Sequence, residues 1–539
     1  MHHRFLPALL ATCALLSARP GPLLAAQPAY MRLRMLERTP ILRPQDTRLR
    51  NEWDNAQFIL RKMRYALDAY RPSSDLEAMA QRHLNKAERL RAAVRAGRQP
   101  PLAPGLREEA YYCDADGSHQ PFLRYLPKAA HDGKPRPLLV YLHGYSPLLD
   151  LVNWTAIEPA LFDFAEEAGF MVVAPFGRSN TDFQNIGEHD VLRAIMEMKR
   201  RYNVDDERIV LAGFSMGGMG VWTIGARNPD VFAGLLPIAA RGDYYFWHNV
   251  RREDMPCYKR TMIDFEFGHS MLDRLAKTPV FSLHGSDDRL IRVEEGRHMA
   301  HAVRQVNPNA IYRELPGEDH WIVGAAFARD DLRQWLRERR RPGAPREMRY
   351  DTALLPSPIG PVKRAFLSPF LFVCASEGPG PSIRLRRAAR EWERFAKAAP
   401  RTALEYHLRP GDLARFNLFL FGEPERSALI RTVLATSPVT VETDRFRVGD
   451  RSFPRQGHGL YLARPNPWNH EKLAVVQCGI PWGEGLPENH KYDLLPDYIV
   501  YSARRDADGS NSALCAGFFD SNGQLDMTRQ YLPTLDNAR

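Results

Sequence analysis

IVLAGFSMGGMGVWTIGARN, residues 209–228, decides how this chain reads. Ile209–Ala212 is a short, wholly apolar run of the kind found in strands buried on both faces. Gly217–Asn228 carries the spacing of a helix. Between them stands Gly213-Phe214-Ser215-Met216-Gly217. A G-x-S-x-G pentapeptide between a strand and a helix forces a sharp turn. Side chains at the flanking positions would clash, and the serine hydroxyl is left exposed at the sheet's edge. The helix N-terminus beside it favours developing negative charge. Ser215 is therefore the candidate nucleophile.

The same alternation extends in both directions. Leu138–Leu142, Met171–Ala174, Gly234–Ile238, Val280–Leu283 and Ile311–Leu315 read as strands. Residues 157–168, Asp190–Tyr202 and Ala325–Arg341 read as helices between and after them. Buried strands alternating with helices predict an α/β unit, a parallel sheet covered on both faces.

A serine needs a base to take its proton and an acid to hold that base in the right tautomer. After a strand–turn–helix nucleophile the chain order should be acid, then histidine. Past Val280–Leu283 comes His284-Gly285-Ser286-Asp287-Asp288-Arg289, which puts two acids just beyond a strand end. Asp287 and Asp288 compete for the role on chemistry alone. Past Ile311–Leu315 comes Pro316-Gly317-Glu318-Asp319-His320-Trp321, so His320 is the candidate base on a loop at the same edge. The oxyanion needs two backbone donors. Met216 N–H, directly after the nucleophile, supplies one. The loop His143-Gly144-Tyr145 supplies the other, expected at Tyr145 N–H.

YLHGY (141–145), GEHDV (187–191), NPDVFAGLLPI (228–238), LHGSDDRLI (283–291) and GEDHW (317–321), with the opening stretch, resemble a known family. They are similar to the α/β-hydrolase catalytic domain of prolyl-oligopeptidase-type serine peptidases, and to the related polyhydroxybutyrate-depolymerase and feruloyl-type esterases. The resemblance spans about residues 120–340. Its H-G-x-x-D spacing puts the acid on Asp288, and it implies hydrolysis through an acyl-enzyme without a cofactor. Two departures stand out. The mature residues before the domain are too few and too helical for the β-propeller of true prolyl oligopeptidases. The stretch Asp243–Lys277 is also longer than usual, with Tyr244, Tyr245, Phe246 and Trp247 in it. It is expected to wall the substrate pocket through Tyr244 and Trp247, or else to pack against the last domain.

The flanks complete the organisation. Residues 1–26 have a short basic start, the apolar run Phe5–Leu16 and small residues before Gln27, which reads as a secretory leader cut after Ala26. A lipoprotein reading at Cys13 comes too early in the chain. Residues 27–105 form a helical extension. Trp53, Ala56, Leu60, Met63, Leu67 and Tyr70 make one apolar stripe, Pro72 ends the first helix, and Ser74 with Glu77 signals a capping box for the second. Residues 106–341 hold the catalytic unit and 342–349 a linker. Residues 350–539 form a second, smaller α/β domain, with strands at Phe370–Cys374, Leu418–Phe421, Leu473–Cys478 and Tyr498–Tyr501 and helices at 382–397 and 427–436.

Composition narrows the partners. Of 74 Lys+Arg residues only 11 are Lys, and the net charge of +10 is scattered rather than gathered on an aromatic-studded face, which argues against nucleic-acid binding. Past the leader no stretch is long and apolar enough to span a bilayer. The five cysteines beyond it, 113, 257, 374, 478 and 515, allow one disulfide in an oxidising compartment, and the fold is not expected to depend on several. No HExxH or Cys-pair pattern marks a metal site, so the histidines outside the triad read as ordinary surface or core residues. The expected partner is a peptide or ester substrate, and a peptidase-like hydrolase ranks ahead of a carboxylesterase of carbohydrate-linked or polymer esters. A non-catalytic binding protein on the same scaffold is the rival from another class. The oligomeric state is left open.

Overall fold

The computed structural model describes residues 28–533 apart from 40, 100, 155–156, 344–353 and 376–382. The expected leader 1–26 and most of the linker 342–349 therefore lie outside the described residues.

Two large sheets carry the molecule. The first comprises β1 Gly105–Cys113, β2 Ser118–Leu126, β3 Arg136–Leu142, β4 Met171–Pro175, β5 Val204–Phe214, β6 Gly234–Ile238, β7 Phe281–Gly285 and β8 Ile311–Leu315. Their spatial order is β1-β2-β4-β3-β5-β6-β7-β8. From β4 to β8 neighbours run parallel, whereas β1–β2 and β2–β4 are antiparallel. This is the α/β-hydrolase architecture. The parallel strands are apolar without alternation because helices cover both faces: every residue of β4, β6 and β7 is buried.

The helical extension contains three helices rather than a pair: Pro28–Arg38, Thr47–Ala69 and Ser74–Arg95. The stripe from Ala56 through Leu60 and Met63 to Leu67 is buried as its spacing requires. The cap of the last helix sits one residue earlier than expected. Ser73, in extended backbone, accepts from Leu76 N–H at 3.1 Å, and Ser74 is already helical. The extension covers the edge strand β1, where Asn55 Oδ1 accepts from Ala110 N–H at 2.7 Å and Lys62 pairs with Glu108 at 2.9 Å. An uncovered edge would leave that N–H open to another chain. The expected long helix Ala325–Arg341 is two short ones, Val323–Phe327 and Asp330–Glu338.

The C-terminal half is a mixed sheet of order β10-β9-β11-β16-β15-β17-β18. Its strands are β9 Phe370–Cys374, β10 Thr402–Leu404, β11 Asn417–Phe421, β15 His458–Asn466, β16 Asn469–Gly479, β17 Tyr498–Arg505 and β18 Asn511–Gly517. A side ribbon joins β12 Val439–Val441, β13 Arg445–Val448 and β14 Arg451–Pro454. The helix Ile383–Ala396 buries Leu385, Trp392 and Phe395 against this sheet. All five described cysteines are unpaired. No helix of the described residues is long and apolar enough to cross a membrane.

Candidate active site

Ser215 occupies the turn between β5 and the helix Met216–Arg227 with φ of 57° and ψ of −117°, a strained conformation for a residue with a side chain. Two glycines make the turn possible. A Cβ on Gly213 would lie 2.3 Å from Gly217 O, and one on Gly217 would lie 2.1 Å from Leu142 O. Both clashes are with backbone, so neither can be relieved by a rotamer change. Ser215 N–H is anchored on Ile238 O at 2.9 Å, which fixes the turn to the end of β6.

His320, on the loop after β8, brings Nε2 to 3.0 Å from Ser215 Oγ. Its Nδ1 lies 2.7 Å from Asp288 Oδ2. Asp288 Oδ1 accepts from Leu290 and Ile291 N–H, each at 2.9 Å, so backbone donors hold the carboxylate in place. Asp287 is exposed and its side chain accepts from Ser286 Oγ, away from His320. The structure thus brings Ser215, His320 and Asp288 together and leaves Asp287 outside.

A further residue belongs to the cluster. His284 Nε2 lies 2.8 Å from Ile291 O and 3.2 Å from Asp288 Oδ2, and the ring is fully enclosed. Because Ile291 O can only accept, that nitrogen carries a proton, and the proton also faces Asp288. Burial alone would raise the Asp288 carboxyl. Hydrogen bonds from His284, His320 and Ile291 N–H outweigh it and hold the group well below the usual carboxylate range. The sequence showed His284 as the first residue of H-G-x-x-D, but nothing in the spacing said that its ring turns back on the acid.

Gly144 packs beside the nucleophile: a Cβ there would stand 3.5 Å from Ser215 Cβ and 3.0 Å from the Phe214 ring. The next residue, Tyr145, has a backbone N–H without a hydrogen bond among the described residues. Met216 opens the helix, so its N–H has no partner within the helix. Both expected donors are therefore free for a ligand. His143 sits behind the loop with Nε2 3.1 Å from Phe176 O, and burial lowers its basicity.

Two aromatic rings stand open beside this centre. Trp321 is 67% exposed and packs on Phe214 and His320, at centroid distances of 5.5 and 5.6 Å. Tyr145 is 53% exposed and lines a cleft of about 240 Å³ with Asn180, Arg394, Phe395, Glu488 and Asn489. That cleft lies between the first and second halves of the chain. Trp321 was missed in the sequence because a lone aromatic after a histidine carries no periodic signal.

Neither Tyr244 nor Trp247 makes a ring contact with His320. Tyr244 packs against Tyr245, His248 and Phe267, and the Arg241 guanidinium lies over the Trp247 ring at 4.8 Å. The aromatic neighbours of His320 are Phe214 and Trp321 instead. The middle of the long segment takes the second expected role, packing on the C-terminal half. Tyr258 meets the Tyr531 ring at 5.5 Å, and Lys259 binds Asp506 at 2.8 Å and Asp508 at 2.5 Å. The segment also assembles a cluster that the sequence spacing hid, Asp243 with His269 and His298, whose members are 26 to 55 residues apart.

Fold and site together define a serine hydrolase of the α/β-hydrolase class. Residues 180–337 match the model of the prolyl oligopeptidase family. A protein described as an uncharacterized secreted protein of Arthroderma benhamiae is 30% identical over 137 residues, 24% of this chain and 14% of that protein. A bifunctional acetylxylan esterase/xylanase of Neocallimastix patriciarum is 28% identical over 163 residues, 30% of this chain and 20% of that protein. The chain thus spans a fifth or less of the length of these relatives. Among solved structures, a thermostable esterase is similar with a TM-score of 0.33 and 22% identity, covering 44% of this chain and 63% of that one.

Proposed function

We propose that Ser215, His320 and Asp288 form the acylating centre of a secreted carboxylesterase acting on carbohydrate-linked esters. The Ser215–His320–Asp288 relay, with links of 3.0 and 2.7 Å, supports the chemistry. The exposed Trp321 beside His320 carries the choice of substrate, because an open indole offers a flat apolar face to a sugar ring while its surroundings stay wet. The acetylxylan esterase among the relatives agrees with this reading.

In the reaction, Ser215 Oγ attacks the ester carbonyl carbon as its proton passes to His320 Nε2. The carbonyl oxygen becomes an oxyanion that accepts from Met216 N–H and Tyr145 N–H. Collapse of the tetrahedral adduct breaks the ester C–O bond, and His320 gives its proton to the departing alcohol. Water, deprotonated by His320, then attacks the acyl carbon; collapse of the second adduct breaks the bond to Ser215 Oγ, which takes the proton back from His320, and the acid leaves. Asp288 keeps the other imidazole proton on Nδ1 throughout, so that Nε2 is the basic nitrogen.

A peptidase is the second reading, favoured by the family match over residues 180–337. The same groups cleave an amide if the site protonates the leaving amine. The mature protein assayed on p-nitrophenyl esters, acetylated and feruloylated sugars and peptide amides, with Ser215→Ala as blank, separates the two. Turnover of amides within about a hundredfold of esters replaces the esterase reading with the peptidase one. Failure of the wild type to label with a fluorophosphonate, or equal labelling of Ser215→Ala, overturns both and leaves a binding protein.

A further inference from the structure

Asp243, His269 and His298 come from three separate elements. Asp243 caps the short helix Tyr244–His248 that follows β6, His269 lies in the 3-10 stretch Gly268–Leu275, and His298 is in the helix Val293–Val306 after β7. Asp243 Oδ2 lies 2.9 Å from His298 Nε2 and 3.5 Å from His269 Nδ1, and all three donor atoms lie within 4.8 Å of one another. A tetrahedral ion with bonds of about 2.0–2.1 Å needs its donors about 3.3–3.5 Å apart, and of the two separations from Asp243 Oδ2 one falls below that range and one at its upper end.

The donors are also held in place. Asp243 Oδ1 accepts from Tyr245 N–H at 2.9 Å, which turns Oδ2 toward the two rings. Phe246 lies flat on His298, with centroids 4.2 Å apart and planes within 4°. His269 stacks on the same ring at 5.2 Å, and its backbone N–H donates to Gly242 O at 3.2 Å. One turn before His298 on the same helix stands Glu295. It is 0% exposed, neither carboxylate oxygen accepts a hydrogen bond among the described residues, and the nearest cation is Arg292 at 3.7 Å. His298 and Asp243 both fall within reach of its charge. A hydrogen-bonded Asp–His pair would account for one ring. It leaves the second ring aimed at the same oxygen.

We infer that Asp243, His269 and His298 bind a divalent transition-metal ion of the zinc class, with Glu295 adding negative charge beside it. Two imidazoles and a carboxylate are a donor set suited to such ions. His269 also lines an open cleft with Tyr245, Arg252, Asp264 and Ser270, so one of the three proposed ligands faces solvent. The ion would clamp the Asp243–Lys277 segment to the helix that follows the Asp288 loop. Its role is to fasten that segment; none of the three ligands touches Ser215 or His320. The inference does not rest on the proposed esterase activity.

The test is metal binding by the mature full-length protein, purified without a histidine tag and stripped with chelator. Calorimetric titration with Zn²⁺ should show one ion per chain, and Co²⁺ should give the visible bands of a tetrahedral site. His269→Ala and His298→Ala should each weaken Zn²⁺ binding by at least about a hundredfold. His301→Ala, an exposed neighbour on the same helix, should leave it unchanged. His298→Asn keeps a hydrogen-bonding group opposite Asp243 but is a poor ligand, so it should preserve folding, judged by near-UV circular dichroism, and still lose the ion. No saturable binding at one ion per chain, or binding that survives in folded His298→Asn, overturns the assignment.

Discussion

Replacing Asp288 with asparagine keeps the size of the side chain and removes only its charge. One oxygen of the new amide can still accept from Leu290 and Ile291 N–H, where Oδ1 now accepts both at 2.9 Å. The NH₂ then takes the place of Oδ2, between His320 Nδ1 at 2.7 Å and His284 Nε2 at 3.2 Å. His284 Nε2 must keep its proton for Ile291 O, so the amide meets one donor it cannot satisfy. It satisfies the other only if His320 gives up the proton on Nδ1. His320 then carries its proton on Nε2, facing Ser215 Oγ, and cannot accept another. A tautomer switch of this kind costs on the order of 10⁴ in kcat. Two charge-assisted hydrogen bonds also become neutral or repulsive, a loss on the order of 2 kcal/mol in stability. The pH dependence has a fixed sign. Because the folded-state pKa of Asp288 is depressed, its contribution is complete above the unfolded value of about 3.9 and is lost as pH falls toward the folded value. The stability gap between wild type and Asp288→Asn should therefore be widest at pH 7 and close below about pH 4. The assays are kcat/KM on a p-nitrophenyl ester and urea midpoints across that range. Retention of more than about a tenth of the activity, or an equal loss in Asp287→Asn, would refute the reasoning.

Three further outcomes follow from other parts of the structure. Gly217→Ala puts a methyl 2.1 Å from the backbone oxygen of Leu142 and should destabilise by more than about 3 kcal/mol, read from the urea midpoint. Trp321→Ala removes an exposed ring, so it should raise KM for sugar esters about three- to tenfold while sparing kcat on p-nitrophenyl acetate. Asp497 is buried among Ser357 and Phe519, and burial lifts its pKa to about 7. A raised carboxyl pKa makes the folded state bind more protons than the unfolded one, so stability falls as pH rises from about 4 to 7. Asp497→Asn should remove that slope, gaining on the order of 4 kcal/mol over wild type at pH 8 and nothing at pH 4.

The strands at the centre of the first sheet were legible because burial on both faces leaves a run such as Leu138–Leu142 no polar positions, and such runs are hard to mistake. The nucleophile turn was legible for a steric reason that the structure makes explicit at Gly213 and Gly217. The hairpin β1–β2 was not. Its strands carry Arg107, Glu108, Glu109 and Arg124, which read as solvated. In the fold, Arg124 is buried against Glu109 at 3.1 Å, and Tyr202 and Arg201 complete the pairing from another element. Charge that is paired across distant elements looks the same in sequence as charge in water. The side ribbon β12–β14 was missed for the opposite reason, being too short and arginine-rich to show an alternation. His284, His269 and His298 belong to the same class of omission: side chains whose meaning depends on a partner that the chain brings in from far away.

The C-terminal half is fastened to the catalytic half by groups that are costly to separate. Lys363 pairs with the buried Glu266, and its carbonyl oxygen accepts from Asn185 Nδ2 at 3.0 Å, on the segment after β4. Lys259, almost wholly buried, donates to Asp506, Asp508 and Ser510. Phe370 N–H and the Arg401 guanidinium both reach Ala115 O, in the β1–β2 turn. Removing this half would strand Glu266 and Lys259 as unpaired charges on a newly exposed face, and breaking a buried pair from one side costs about 3–5 kcal/mol. The two halves therefore hold one another in register. That register sets Arg394, Glu488 and Asn489 opposite Tyr145, across the cleft next to the expected oxyanion donor. A substrate bulky enough to reach from Ser215 past Tyr145 must meet the second half of the chain, whereas a small acyl ester need not. If the substrate is a large ester, as proposed, loosening that junction should weaken turnover of large esters before it affects small acyl esters, a split that kcat/KM on the two substrate sizes would read.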